Sequence, residues 1–135
     1  ERILVAGGLS NRRAVEGLAA LAPVVAVVAH KDYLSFGDIY PETVRLEIEG
    51  AKILLTHMVG EPPDLLPPVA ELIAQDPPDV VVHGHLPRAR AVWVLGTLFV
   101  APGRADSTRP GQPATCALLD IDGPSRITAH VVELG

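Results

Sequence analysis

Apolar residues fall into two periods along this chain, and the switches between them mark its elements. Short apolar runs bounded by Gly and Pro predict strands at Arg2–Ala6, Val24–Val28, Lys52–Thr56, Val80–Val82, Ala91–Leu95, Thr97–Val100, Thr115–Ile121 and Ile127–Leu134. Strict alternation in Val44-Arg45-Leu46-Glu47-Ile48 predicts a half-exposed strand, turned at Glu49-Gly50 into Lys52–Thr56. Val15, Leu18, Leu21 and Ala22 keep helical spacing. They predict a helix from Asn11 to about Ala22, with Ser10 as N-cap and Pro23 as its stop. A second helix is predicted over Leu65–Gln75, with Pro67 and Pro68 in the first turn, where proline is tolerated.

The remaining stretches read as loops: His30–Tyr40, Gly60–Pro63, Pro87–Ala89 and the Pro- and Gly-bearing Ala101–Pro113. Asp122-Gly123 turns a terminal hairpin, and Trp93 is expected on a packed face. The first strand, helix and second strand form a βαβ unit, so those strands should lie parallel. One such unit, one further helix and then only strands predict an α/β fold with two packed β-sheets flanked by helices.

Composition narrows the partners. A chain of 135 residues that is 48% hydrophobic is expected to form one domain, residues 1–135, with a real core. The formal charge of -5 and scattered arginines argue against a nucleic-acid partner. No apolar run has the length of a membrane span, and the first residues lack a signal-peptide pattern. Cys116 is the single cysteine, which excludes an internal disulfide, reads as a small core residue and makes the cytoplasm the expected compartment.

Candidate chemistry lies in histidines at strand ends. Val24–His30, Ile53–His57 and Val80–His85 each run from apolar strand into imidazole, and these strands are expected in or beside one sheet with their C-terminal ends converging. Strand ends of α/β sheets are where ligands gather. His30, His57 and His85 are therefore the expected metal set, and three imidazoles plus water would suit tetrahedral zinc. The same histidines also read as relics held by hydrogen bonds. His83 is expected as a packing histidine and His130 as a surface residue; Asp38, Tyr40, Arg88 and Arg90 read as loop surface. Gly7-Gly8 reads as a turn rather than a phosphate cradle.

Several motifs in order resemble the calcineurin-like metallophosphoesterase family, in its small prokaryotic phosphodiesterase branch. APVVAVVAHKD is similar to its strand ending in Gly-Asn-x-Asp, EGAKILLTHMVG to its strand ending in a ligand His, and DVVVHGHLPRAR to its Gly-His-x-His segment. TLFVAPGRA resembles its Asn-Pro-Gly-Ser strand and ATCALLDIDG its closing hairpin. The resemblance covers almost the whole chain and implies a metallophosphoesterase-like sandwich, reduced in size, with two divalent metals where strand ends converge.

At those metals the chain departs from the family. RILVAGGLSN matches the family's first strand, with Gly8 and Ser10 for Asp-x-His, or its second, with Gly8 for the bridging Asp and a preceding strand absent from this sequence. The second match is favoured, because the helix then runs directly into the next strand. Pro87 stands where the second His of Gly-His-x-His would be. Gly8 and Pro87 are thus lost ligand positions, and two cations without a bridging carboxylate repel too strongly to pair.

The second metal position would keep His57 and His85, with His30 in place of the family's Asn as a compensating ligand or as drift, and Asp32 as a hydrogen-bond partner to a ligand His. The resemblance implies at most one divalent metal (zinc, nickel or manganese), or none. The expected function is a non-catalytic binding or scaffold protein with a protein partner, as in the family's eukaryotic retromer subunit. The alternative is a weak single-metal phosphodiesterase or phosphatase. An exposed sheet edge where the absent strand would lie predicts a homo-oligomer.

Overall fold

The computed structural model describes residues 1–8, 12–29, 39–105 and 110–134. The elements are β1 (Ile3–Val5), α1 (Arg12–Ala19), β2 (Val24–Ala26), β3 (Thr43–Ile48), β4 (Ala51–Thr56), β5 (Gly60–Glu61) and β6 (Asp64–Leu65). They continue as α2 (Pro67–Gln75), β7 (Val80–His83), β8 (Arg90–Val94), β9 (Thr97–Ala101), β10 (Thr115–Ile121) and β11 (Ile127–Glu133).

Five strands form the central sheet in the order β3-β4-β7-β9-β8. β4, β7 and β9 run parallel, and the outer strands are antiparallel to their neighbours. The parallel strands are buried on both faces, so they read as unbroken apolar runs rather than alternating ones.

Each face of that sheet has its own cover. Ile53, Leu55, Val80, Val82, Leu98 and Val100 pack against Leu4, Ala6, Val25 and Val27 of the β1–β2 segment and against Leu119 and Ile127 of β10–β11. On the other face Leu54, Val81 and Phe99 meet Val69 and Ile73 of α2. α1 covers the outside of β1–β2 through Val15, which packs with Ala26 and Val28. The result is an α/β sandwich of two β layers with a helix on each outer side. Its second layer consists of two ladders, the parallel β1–β2 pair and the antiparallel β10–β11 hairpin.

Several expectations are refined. α1 ends at Ala19 and the chain turns over 20–22, leaving Leu21 exposed instead of on an apolar helix face. Ser10, expected as its cap, lies outside the described residues. α2 begins at Pro67, with extended Leu66 as its cap residue. Gly60–Leu65 is a two-rung antiparallel ladder, not a plain loop. Trp93 is exposed, because β8 is an edge strand whose partner-facing side chains are Val92 and Val94. Tyr40 packs against the α1 cluster, not into solvent, and Cys116 is half-buried. β2 pairs with β1 and not with β4 or β7, so the three His-bearing strands do not share one sheet. No helix among the described residues is long and apolar enough to cross a membrane.

Candidate functional site

The candidate site forms where the ends of β4 and β7 meet the end of β1. β4 and β7 pair in parallel register, Thr56 opposite His83, and the Gly84 amide donates to the His57 carbonyl at 2.8 Å. That bond extends the ladder one step past both strands and fixes the backbone carrying both imidazoles.

Side-chain alternation then sorts the histidines. His57 follows Ile53 and Leu55 in parity and points to the β1 layer, where its Nδ1 lies 2.6 Å from the Ala6 carbonyl oxygen. A carbonyl only accepts, so Nδ1 carries the proton, and in the neutral tautomer the lone pair lies on Nε2. His83 follows Val81 and points to the opposite face, beside Phe99 at a ring separation of 6.2 Å. His85 has a left-handed backbone, φ 70°, which takes the chain off strand alternation. Its exposed ring comes 5.6 Å from that of His57, edge to face at 81°.

Two glycines make this approach possible. A Cβ on Gly7 would sit 2.5 Å from His57 Nδ1 and 3.1 Å from the Ala29 amide nitrogen, and its φ of 93° is unfavourable for any side chain. A Cβ on Gly84 would sit 2.5 Å from the Ala6 carbonyl oxygen and 3.0 Å from His57 Nδ1. Gly7, Ala29, His57 and Gly84 therefore meet at one point, although β2 belongs to the other layer.

The expected ligand set is only partly in view. His57 and His85 come together, while His30 and Asp32 lie outside the described residues, as does Asp38. Gly8, with φ 73°, has no side chain to offer as a ligand, and Pro87 is exposed in the loop after His85. Among the described residues no group of three or more His, Cys, Asp or Glu could hold a metal ion.

Other candidates have separate fates. His83 is 1% exposed, and among the described residues its Nδ1 has no hydrogen-bond partner. Burial pushes its pKa down to about 4, against an interaction with the Gly84 backbone and with help from the Arg90 charge. Arg90 is not simply solvated, because it donates to the Pro62 carbonyl at 3.1 Å. His130 is at the surface, as expected, 3.6 Å from Asp120 on the facing strand. Sequence reasoning missed the Ala6 carbonyl as the group that orients His57. The available signal was the pair of glycine sites, Gly7-Gly8 and His83-Gly84-His85, each at the end of an apolar strand.

The calcineurin-like phosphoesterase superfamily domain matches residues 1–124. Among solved structures, Vps29 from Chaetomium thermophilum is 19% identical at a TM-score of 0.76, over 99% of this chain and 79% of that one. Vps29 from Entamoeba histolytica complexed with Zn2+ is 20% identical at 0.70, over 100% and 83%. A novel archaeal phosphodiesterase is 18% identical at 0.73, over 98% and 83%. No curated protein matches the chain. At these identities the solved structures establish a shared fold.

Proposed function

The chain belongs to the calcineurin-like phosphoesterase superfamily, and we propose that within it this protein is a non-catalytic binding or scaffold protein with a degenerate site and at most one bound metal. The observation that carries this reading is Gly8 where the family has its bridging carboxylate, beside two imidazoles that no third described metal-ligating residue joins. The resemblance to the family's non-catalytic retromer subunit, which works through partners at its surface, supports a role in binding a protein partner.

His57 and His85 would hold a single ion, with His30 as third ligand and Asp32 hydrogen-bonded to one of them. The Ala6 carbonyl favours this by keeping the proton on His57 Nδ1 and the lone pair on Nε2. The Zn2+ complex of Entamoeba Vps29 supports zinc as the first ion to try. Such an ion would supply Lewis-acid polarisation of a phosphoryl oxygen. The second reading, a weak single-metal phosphodiesterase, is favoured by the approach of the two rings to 5.6 Å.

Hydrolysis of bis-p-nitrophenyl phosphate with added manganese, zinc or nickel separates the two. The scaffold reading expects no turnover above the metal-only blank. Turnover abolished by His57→Ala would overturn it and establish the hydrolase. Zinc titration of the unmodified protein near pH 7, repeated with His30→Ala, His57→Ala and His85→Ala, checks the ligand set. Each substitution is expected to weaken zinc by about tenfold or more.

A further inference from the structure

The two edges of the central sheet are treated differently. At the β3 edge, Arg45 donates to the Asp76 and Leu72 carbonyls at the end of α2, and Lys52 on the adjoining strand pairs with Asp76 at 2.9 Å. Charged side chains tied down along an edge discourage further pairing. The β8 edge, Arg90-Ala91-Val92-Trp93-Val94, has neither proline nor lysine, and its one charge is at the end. Trp93 is 58% exposed, and Leu95 at the hairpin turn is fully exposed.

Among the described residues no strand pairs with the outer side of β8, and that edge has a defined hydrogen-bonding register. β8 and β9 are joined by Leu95-Gly96, both at positive φ (48° and 85°), a two-residue turn of the type that closes on a hydrogen-bonded pair, here Val94 and Thr97. Hydrogen-bonded and non-bonded pairs alternate along an antiparallel ladder. Val94, Val92 and Arg90 therefore bond to β9, and the backbone groups of Ala91 and Trp93 face outward.

Those outward residues are symmetric about Val92. From this we infer that β8 pairs antiparallel with β8 of a second copy of this chain, with Val92 on the two-fold axis, joining two five-stranded sheets into one of ten. Ala91 of each copy exchanges both backbone hydrogen bonds with Trp93 of the other, four bonds in all. Each indole lies over the small Ala91 side chain of its partner, so a large group faces a small one. Arg90 falls opposite Val94, and the two guanidinium groups sit four residues apart along the strands. That is about 14 Å, beyond the screening length at physiological salt. No like charges face each other across the pair.

This inference does not depend on whether the candidate site holds a metal. Five-residue strands bury less than a standard interface of about 1,600 Å², so association is expected at about 1–50 μM.

Trp93 is the only tryptophan, so its emission reports on the contact directly. Light scattering with fluorescence, from about 1 μM to about 500 μM, should show the mass rising from 14.2 kDa to twice that value. Trp93 emission should shift to the blue over the same range. Ala91→Pro removes an outward N–H and leaves the β9 ladder intact, and Trp93→Lys places a charge on the edge. Each should keep the protein monomeric throughout, with folding checked by circular dichroism. A wild-type monomer at the highest concentration would overturn the inference. So would a dimer unaffected by the folded variants, or a dimer that forms without any change in Trp93 emission. A dimer lost in Trp93→Lys but kept in folded Ala91→Pro would show contact through the indole face and equally reject strand pairing.

Discussion

His57 and His83 lie at the ends of adjacent parallel strands, yet their rings meet opposite conditions. His57 points into the β1 layer and gives its Nδ1 proton to the Ala6 carbonyl at 2.6 Å. His83 points toward the α2 side, where Phe99 flanks it and its Nδ1 has no partner among the described residues. A one-residue offset in a strand changes the face, and with it the chemistry. Partnered and half-buried, His57 is held by the Ala6 carbonyl. His83 is kept neutral and serves as packing.

Four measurements would break or sharpen this contrast. The largest effect is expected for Gly7→Ala, whose Cβ would enter the His57 ring at a backbone φ of 93°. Strain and overpacking together should cost about 4 kcal/mol in urea unfolding. A loss below about 1 kcal/mol would mean that the Ala6–Gly7 segment does not lock His57.

Acid should expose His83 next. Its folded pKa is lowered to about 4 from an ordinary 6.5, chiefly by burial. Above pH 6.5 the ring is neutral in both states and has no effect. As pH falls toward 4 the unfolded chain takes up a proton that the folded chain refuses, removing up to about 3 kcal/mol of stability. His83→Leu should remove most of this slope between pH 6.5 and 4; an unchanged slope would place the acid sensitivity elsewhere.

At pH 7 the two histidines should respond with opposite signs. His57→Ala leaves the Ala6 carbonyl unpaired and should lose about 2 kcal/mol. His83→Leu should be neutral or gain about 1 kcal/mol, because an unsatisfied nitrogen leaves the core. Loss in both variants would refute the contrast. The smallest effect is reserved for His130, whose pairing with Asp120 is exposed. His130→Ala should stay within about 0.5 kcal/mol by thermal melting.

Much of the fold was legible from local pattern. The βαβ start, the β3–β4 and β10–β11 hairpins and the strand at Val80 all lie where apolar periodicity and Gly or Pro punctuation put them. The reading of Trp93 was wrong, since an apolar alternation does not reveal whether a strand is central or at an edge. Placing the three His-bearing strands in one sheet was also wrong, since β2 pairs with β1 in the other layer. His57 and His85 were visible as strand-end imidazoles, and their rings lie 5.6 Å apart.

The sequence by itself determined the family and the strand ends that carry histidine. Each is a matter of residue identity and local order. Only the tertiary structure decided which imidazole meets a carbonyl and which is buried without a partner, which strand is left at the edge, and why glycine is required at 7 and 84. Those outcomes depend on contacts between residues far apart in sequence, 51 positions for His57 and Ala6 and more for Gly84 and Ala6. Local spacing gives the direction of a side chain within its strand, while its environment is set by whichever layer packs against that face.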